Sequence, residues 1–112
     1  MYKRQTALIV LVKAGLLNQS GTNIPVYTPS SDSQVDGMTF TRLGAGSYRI
    51  TFESPFDSSK VFPFLDTTNF LKSVRIYTES NTQIRIITYD TATGVPEDSV
   101  LLDSKLLIQF YP

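Results

Sequence analysis

Apolar and polar residues alternate with a period of two along most of this chain. In SYRITFE, residues 47–53, the apolar Tyr48, Ile50 and Phe52 share one side, while Arg49 and the other polar residues occupy the opposite side. Successive side chains of a β-strand point to opposite faces of a sheet, so this pattern predicts a strand with one buried face. On a helix the same residues would be scattered. The alternation therefore predicts an all-β protein.

The same pattern recurs between clusters of turn-forming residues. It predicts seven or eight short strands, within residues 7–14, 24–29, 37–43, 47–53, 60–65, 72–80, 82–90 and 105–112. Ser80 and Asn81 lie between two of these segments and indicate an antiparallel hairpin. Pro63 has no amide proton for a sheet hydrogen bond, so its strand is expected at a sheet edge or at a bulge.

Helix signals are nearly absent. One short helical turn is expected within residues 66–73, where Asp66 or Thr67 is a suitable N-cap. Residues 28–37 and 90–99 are polar and rich in turn formers, and both are expected to be surface loops.

The N-terminal segment has a basic start followed by the apolar residues 7–12. Six apolar residues before Lys13 are too few for the core of a secretion signal and too few to span a bilayer. We therefore expect a buried strand in this segment, and a secretory signal followed by the small residues Ala14 and Gly15 is the alternative.

The length of 112 residues suits one domain with one core, and no repeat or linker divides the sequence. Short strands with turns roughly every 8–12 residues predict an antiparallel β-sandwich, of Greek-key or jelly-roll type, over residues 1–112. A small sandwich leaves edge strands open, and Phe62, Phe64 and Phe70 place aromatic side chains in that region. Contacts between copies of the chain are expected to bury both features.

Composition restricts the chemistry available to the chain. There is no Cys, His or Trp, which removes thiolate nucleophiles, imidazole bases, disulfides and the usual zinc ligands. Ten basic residues balance ten acidic ones, so no net positive field favours nucleic acid. We expect no catalytic residues, no metal, no cofactor, and neither nucleic acid nor membrane as a partner.

Two glycines, Gly44 and Gly46, are spaced as at the start of some phosphate-binding loops. A dinucleotide-binding loop needs a third glycine three residues later and a helix after it. Arg49 occupies that position, and a strand pattern follows. A hairpin turn in which the glycines adopt positive φ is therefore expected.

Carboxylates offer two further kinds of site. Asp90, Glu97 and Asp98 could surround a calcium ion, but their spacing lacks the alternation of an EF-hand, so solvated loop carboxylates are preferred. Glu53 and Glu79 could serve as the paired acids of a glycosidase. A charged outer face of a strand is the preferred interpretation of this pair.

Tyrosines provide the remaining candidates, and three of them are expected on exposed strand faces. Tyr is favoured both for stacking on sugar rings and at protein interfaces. We prefer the interpretation that these tyrosines form a contact between subunits, and a carbohydrate-binding surface is the alternative. The combined candidate set for an oligomer or ligand interface is Tyr27, Phe62, Phe64, Phe70, Tyr77 and Tyr89.

Three elements of the sequence together resemble a known family. They are LNQSGTNIP at residues 17–25, RLGAGSY at residues 42–48, and LLIQFYP at residues 106–112, which follows an aspartate-containing loop. The chain resembles small single-domain virion proteins of phages and prophages of Bacteroidetes hosts, including crAss-like phages. The likeness covers nearly the whole chain, but Leu102, Asp103 and Ser104 stand where the family commonly has Asn-Asn-Thr.

This resemblance implies a structural role in the virion, as a head fibre, a capsid decoration or a tail-associated subunit. It implies a homo-oligomer, expected to be a trimer, that contacts other virion proteins after synthesis in the host cytoplasm. Recognition of a host surface glycan is the alternative function. The family brings no catalytic residues.

Overall fold

The computed structural model describes residues 11–30 and 37–112. The described elements are β1 (Leu11–Asn18), β2 (Val26–Pro29), β3 (Met38–Gly44), β4 (Ser47–Phe52), a 3₁₀ helix (Ser58–Lys60), β5 (Val61–Asp66), β6 (Lys72–Thr78), β7 (Gln83–Asp90) and β8 (Ser104–Phe110). The prediction of an all-β chain is confirmed. The strand expected at residues 7–14 and the loop expected at residues 28–37 lie partly outside the described residues.

The eight strands form two four-stranded antiparallel sheets. The first sheet has the strand order β2-β1-β8-β5, and the second sheet has the order β3-β4-β7-β6. The predicted antiparallel β-sandwich is therefore confirmed. Pairing of β6 with β7 confirms the predicted hairpin, and β5 at the edge of the first sheet is the place expected for Pro63.

Inward-facing side chains from both sheets form one core. On β4, Tyr48 and Ile50 have no exposed surface and Phe52 almost none, so the alternation in the sequence marks the buried face correctly. Each fully buried aliphatic or aromatic side chain contributes about 1.5–3 kcal/mol relative to an exposed one. The buried cluster consists of Leu17, Tyr48, Ile50, Phe52, Val61, Ile84, Ile86, Leu101, Leu106 and Ile108.

The helical turn expected within residues 66–73 is wrong. β5 ends and β6 begins inside this segment, and between them the Lys72 amide donates to the Asn69 carbonyl at 3.1 Å. In the described part of the chain, the single 3₁₀ turn is instead at Ser58–Lys60, where the Asp57 carboxylate caps it. No helix in the described part of the chain has the length and apolar character needed to cross a membrane.

Candidate functional site

Four residues from two distant parts of the chain converge on the carboxylate of Asp98 at one end of the sandwich. Arg42 donates to it from Nη2 at 2.6 Å and from Nε at 3.2 Å. The Tyr48 hydroxyl donates at 2.7 Å, and Gln19 Nε2 and the Gly46 amide each donate at 3.1 Å. The Asp98 side chain is only 14% exposed, so its charge is stabilised by one cation and several oriented donors. We call these five residues the Asp98 hub.

Gln19 connects the hub to the loop after β1 and to the segment before β8. Its Oε1 accepts from the Ser99 amide at 2.9 Å and also lies against the Tyr48 hydroxyl, whose single proton Asp98 and Gln19 share as acceptors. Its Nε2 donates to the Asn23 carbonyl at 2.9 Å, and its backbone amide donates to the Leu101 carbonyl at 2.9 Å. Gln19 is almost fully buried, so these bonds satisfy a polar group that would otherwise destabilise the fold. They tie the end of β1 to the segment that precedes β8.

The turn at Gly46 is built around a close backbone approach. Gly46 has φ 63°, and a Cβ at this position would lie 2.3 Å from the Thr88 carbonyl oxygen and 2.4 Å from the Glu97 amide nitrogen. The predicted hairpin is confirmed by the pairing of β3 with β4. Positive φ is used at Gly46 but not at Gly44. The Gly46 amide does bind an anion, and that anion is the internal carboxylate of Asp98.

In the hub, the pKa values of Asp98 and Tyr48 both lie further from neutral pH than usual. The hydrogen bond from Arg42 is the main reason that the pKa of Asp98 lies well below its usual range, although burial acts in the opposite direction. Burial, followed by the hydrogen bond to Asp98, raises the pKa of Tyr48 to about 12. Asp98 is therefore ionised and Tyr48 protonated at neutral pH. Neither group is suited to exchange protons near pH 7.

We expect the hub to lose its stabilising effect in acid. The pKa of Asp98 is lower in the folded chain than its unfolded value of about 4, so its contribution to the free energy of unfolding is complete above about pH 5. That contribution falls as the pH decreases towards the folded pKa. Asp98→Asn removes the charge at every pH. Urea denaturation should show the gap in unfolding free energy between wild type and Asp98→Asn narrowing below about pH 4, whereas a gap independent of pH would contradict the assignment.

The three carboxylates considered for calcium each have a cationic partner. Lys72 Nζ lies 3.0 Å from Asp90 and 2.6 Å from Glu97, and Arg42 pairs with Asp98. The sequence favours solvated side chains for these loop acids. This prediction is wrong for Asp98, whose side chain is only 14% exposed. No group of acidic residues within residues 11–30 and 37–112 is arranged to hold a metal ion.

The outer face of the second sheet carries an ion-pair cluster. Glu79 accepts from Arg49 Nε at 2.8 Å and from Arg85 Nη2 at 2.5 Å. The hydrogen bond from Arg49 is the largest cause of a lowered pKa at Glu79. A glycosidase general acid needs a raised pKa, so Glu79 does not suit that role, and Glu53 is an exposed residue beyond the end of β4.

The structure separates the three candidate tyrosines. Tyr27 stacks on Phe40 with ring centres 5.7 Å apart and packs against the core, so the expectation that it is exposed is wrong. Tyr77 and Tyr89 are half-buried on the outer face of the second sheet. The guanidinium carbon of Arg75 lies 5.3 Å from the centre of the Tyr77 ring. Only Tyr77 and Tyr89 share a surface.

Part of the outer face of the first sheet is apolar, and the neighbouring row on the same face carries the exposed residues Asp66 and Lys105. Phe62 and Phe64 on β5 are 45% and 52% exposed. Register places Phe64 beside Leu107 and then Ala14, and it places Phe62 beside Gln109 and then Val12. These two rows across the sheet contain no charged residue. We define the apolar face as Val12, Ala14, Phe62, Phe64 and Leu107.

Phe70 belongs to neither outer face. It lies in the turn between β5 and β6 and is 88% exposed, the largest value among the exposed apolar residues of the described chain. The candidate interface residues are therefore divided among four places: the core margin, the two outer sheet faces and one turn.

Sequence reasoning missed the roles of Gln19, Arg42, Tyr48 and Asp98. Gln19 follows a strand whose Leu17 is buried, and Arg42 and Tyr48 flank the glycine turn. Polar residues in such positions are a signal for a buried hydrogen-bond network, although their shared partner, Asp98, is distant in sequence.

The fold and these surfaces define a class of protein: a small β-sandwich with a polar hub at one end and exposed apolar side chains. Comparison with protein-family models, curated proteins and solved structures finds no match to this chain. The resemblance to phage virion proteins accordingly stays a prediction.

Proposed function

We propose that this chain is a non-enzymatic structural subunit of a phage virion that associates with copies of itself through the apolar face. The observation that carries the proposal is the half-exposure of Phe62 and Phe64 on a regular sheet face. Exposed apolar residues that are contiguous on one face typically mark an interaction surface, and aromatic side chains are enriched at such interfaces. Burial of this face would stabilise an assembly through the hydrophobic effect.

The two outer faces of the sandwich differ in a way that supports this assignment. The second sheet presents Arg49, Glu79 and Arg85 as an ion-pair cluster, with Arg75 exposed nearby. Charged groups of this kind are costly to desolvate. The apolar face is therefore the side that a second copy would cover, and the charged face is the side that would stay in water.

The expected assembly is the trimer that the family resemblance implies, with the apolar face of each copy turned inward. Such an assembly would dock on other virion proteins in a head fibre, a capsid decoration or a tail-associated position. Labelling of purified phage particles by antibodies against this chain tests the virion role. Particles that contain none of the chain would contradict it.

Replacing Phe64 by lysine should weaken self-association at least tenfold, or by about 1.4 kcal/mol or more, because a charge would enter the buried contact. Sedimentation velocity over a range of protein concentrations measures this effect. Tyr77→Lys on the outer face of the second sheet is the matched control and should leave the association unchanged. A wild-type chain that stays monomeric at every concentration, or equal effects of the two variants, would contradict the proposed interface.

A second candidate function is recognition of a host surface glycan by the outer face of the second sheet. The observation in its favour is that Tyr77 and Tyr89 share this face with Arg75 and Arg85, which supply aromatic surface beside hydrogen-bond donors. Binding to an array of bacterial surface glycans that is lost in Tyr77→Ala would support this candidate. An array without hits would argue against it.

A further inference from the structure

One end of the sandwich carries an apolar projection. Phe70 and Leu71 are 88% and 61% exposed in the turn after β5. The turn is held by several hydrogen bonds: the Leu71 amide donates to Asn69 Oδ1 at 2.9 Å, and the Thr91 amide donates to the Leu71 carbonyl at 3.2 Å. Phe70 is therefore presented to solvent by a defined turn. We call Phe70 and Leu71 the projecting pair.

The opposite end of the sandwich carries an aromatic cavity of about 430 Å³. Phe52, Phe56 and Phe110 line it, with ring centres 5.3–5.8 Å apart in edge-to-face arrangements. The charged residues Lys13, Glu53 and Asp57 also line it. Val61, the first residue of β5, also lines this cavity and belongs to the buried core. The cavity thus opens onto the end of the core, and a group that enters it would continue the core packing.

β5 connects the two features. The strand begins at Val61 on the cavity and ends at Asp66, just before the projecting turn. Six residues of strand at a rise of about 3.4 Å per residue separate the two ends by about 20 Å. Phe70 is therefore far from the cavity of its own chain, and a second copy is required to bring the two together.

We propose that the projecting pair of one copy inserts into the aromatic cavity of the next copy, so that copies of the chain contact each other end to end. The cavity already arranges three rings edge to face, and a fourth ring from Phe70 would add contacts of the same favourable geometry. Its volume lies in the range, roughly 300–1,000 Å³, of pockets that hold whole small ligands, so both side chains fit.

This contact joins two different surfaces, so it repeats from copy to copy and produces an open stack or a closed ring. The inference rests on the self-assembly proposed above and deepens it by adding a second contact. The apolar face would join copies side by side, and the projecting pair would join them along the long direction of the strands. Together the two contacts would extend a trimer into a fibre.

Cross-linking tests the end-to-end contact directly, because the chain has no cysteine. Leu71→Cys places a thiol beside Phe70, and Ser54→Cys places a thiol on the cavity wall. After mixing and mild oxidation, the two variants should form a mixed disulfide about tenfold faster or more than Leu71→Cys forms with Thr41→Cys, because binding raises the local thiol concentration. Thr41 is an exposed control position on β3.

Two further variants make the outcome decisive. Adding Phe70→Ser to Leu71→Cys should abolish the excess rate, since the inserted ring is lost. Equal rates for Ser54→Cys and Thr41→Cys, or faster pairing of Leu71→Cys with itself, would overturn the proposal. Repeating the measurement with Phe64→Lys in both chains distinguishes the end-to-end contact from association through the apolar face. If the excess cross-linking rate is retained, the end-to-end contact exists even when association through the apolar face fails.

Fluorescence gives an independent readout, because the chain has no tryptophan. Phe70 is almost fully exposed, so Phe70→Trp should retain the fold while reporting on its surroundings. Its emission should shift to shorter wavelength as protein concentration rises, and Phe110→Ser should remove most of this shift. Emission typical of exposed tryptophan at every concentration would overturn the proposal. It would do so even if the cavity bound the apolar dye 1-anilinonaphthalene-8-sulfonate.

Discussion

Replacing Asp98 by alanine is expected to lower the free energy of unfolding by about 2–4 kcal/mol, because a partly buried ion pair and several hydrogen bonds would lose their shared acceptor. The substitution would leave Arg42 without its carboxylate and would remove the acceptor for the Gly46 amide. Buried donors without partners each cost about 1–3 kcal/mol. Domains of this size are stable by only about 5–15 kcal/mol in total, so the variant should unfold at much lower urea concentration.

Asp66→Ala is the matched control for this experiment. Asp66 is an exposed residue at the end of β5, and an exposed substitution of this kind should change the unfolding free energy by no more than about 0.5 kcal/mol. Urea denaturation followed by circular dichroism measures both variants. A loss below about 1 kcal/mol in Asp98→Ala would mean that the hub does not stabilise the fold.

Replacing Gly46 by alanine is expected to cost about 3 kcal/mol or more, because two separate penalties combine. The first penalty is the positive φ of 63°, which an alanine resists by roughly 1–2 kcal/mol. The second is steric: the new Cβ would lie 2.3 Å from the Thr88 carbonyl oxygen. That atom is backbone within β7 and accepts a hydrogen bond from the Glu97 amide, so it cannot move without breaking this bond.

Gly21→Ala isolates the steric part of this effect. Gly21 has φ 58°, close to the value at Gly46, but no atom lies within 4 Å of a Cβ placed there. Its substitution should cost only about 1 kcal/mol, the backbone penalty alone. Thermal or urea unfolding of both variants provides the comparison. Equal losses in Gly46→Ala and Gly21→Ala would show that the close approach at Gly46 has no energetic consequence.

The strands and their buried faces could be predicted from the sequence because a strand repeats every two residues. The alternation in β4 identifies Tyr48, Ile50 and Phe52 as buried, and all three are buried. The neighbour of each strand could not be predicted in this way. β8 lies between β1 and β5, and the period within a strand contains no information about which strands pair with it.

The Asp98 hub was beyond local sequence reasoning for a similar reason. Asp98 and Asp66 both occur near polar, turn-forming residues, yet the Asp98 side chain is only 14% exposed and Asp66 is exposed. The difference comes from Arg42 and Gln19, which lie 56 and 79 positions from Asp98 along the chain. Only the folded topology brings these groups together.

The helical turn expected after β5 shows the limit of capping signals. Asp66 and Thr67 are suitable N-cap residues, but Asp66 remains in β5, where it pairs with Lys105. Sheet pairing therefore outweighed the local preference. The real 3₁₀ turn formed where Asp57 could cap Ser58–Lys60 and no strand pairing competed.

The position of β8 has a consequence for synthesis. β8 is the last strand of the chain, yet it is inserted between β1, the first described strand, and β5. Chains emerge from the ribosome N-terminus first, and contacts between distant segments form slowly. The apolar face contains residues of β1, β5 and β8, so it is complete only after β8 has been translated and has paired with the other two strands. A nascent chain that stops before β8 therefore cannot present this surface.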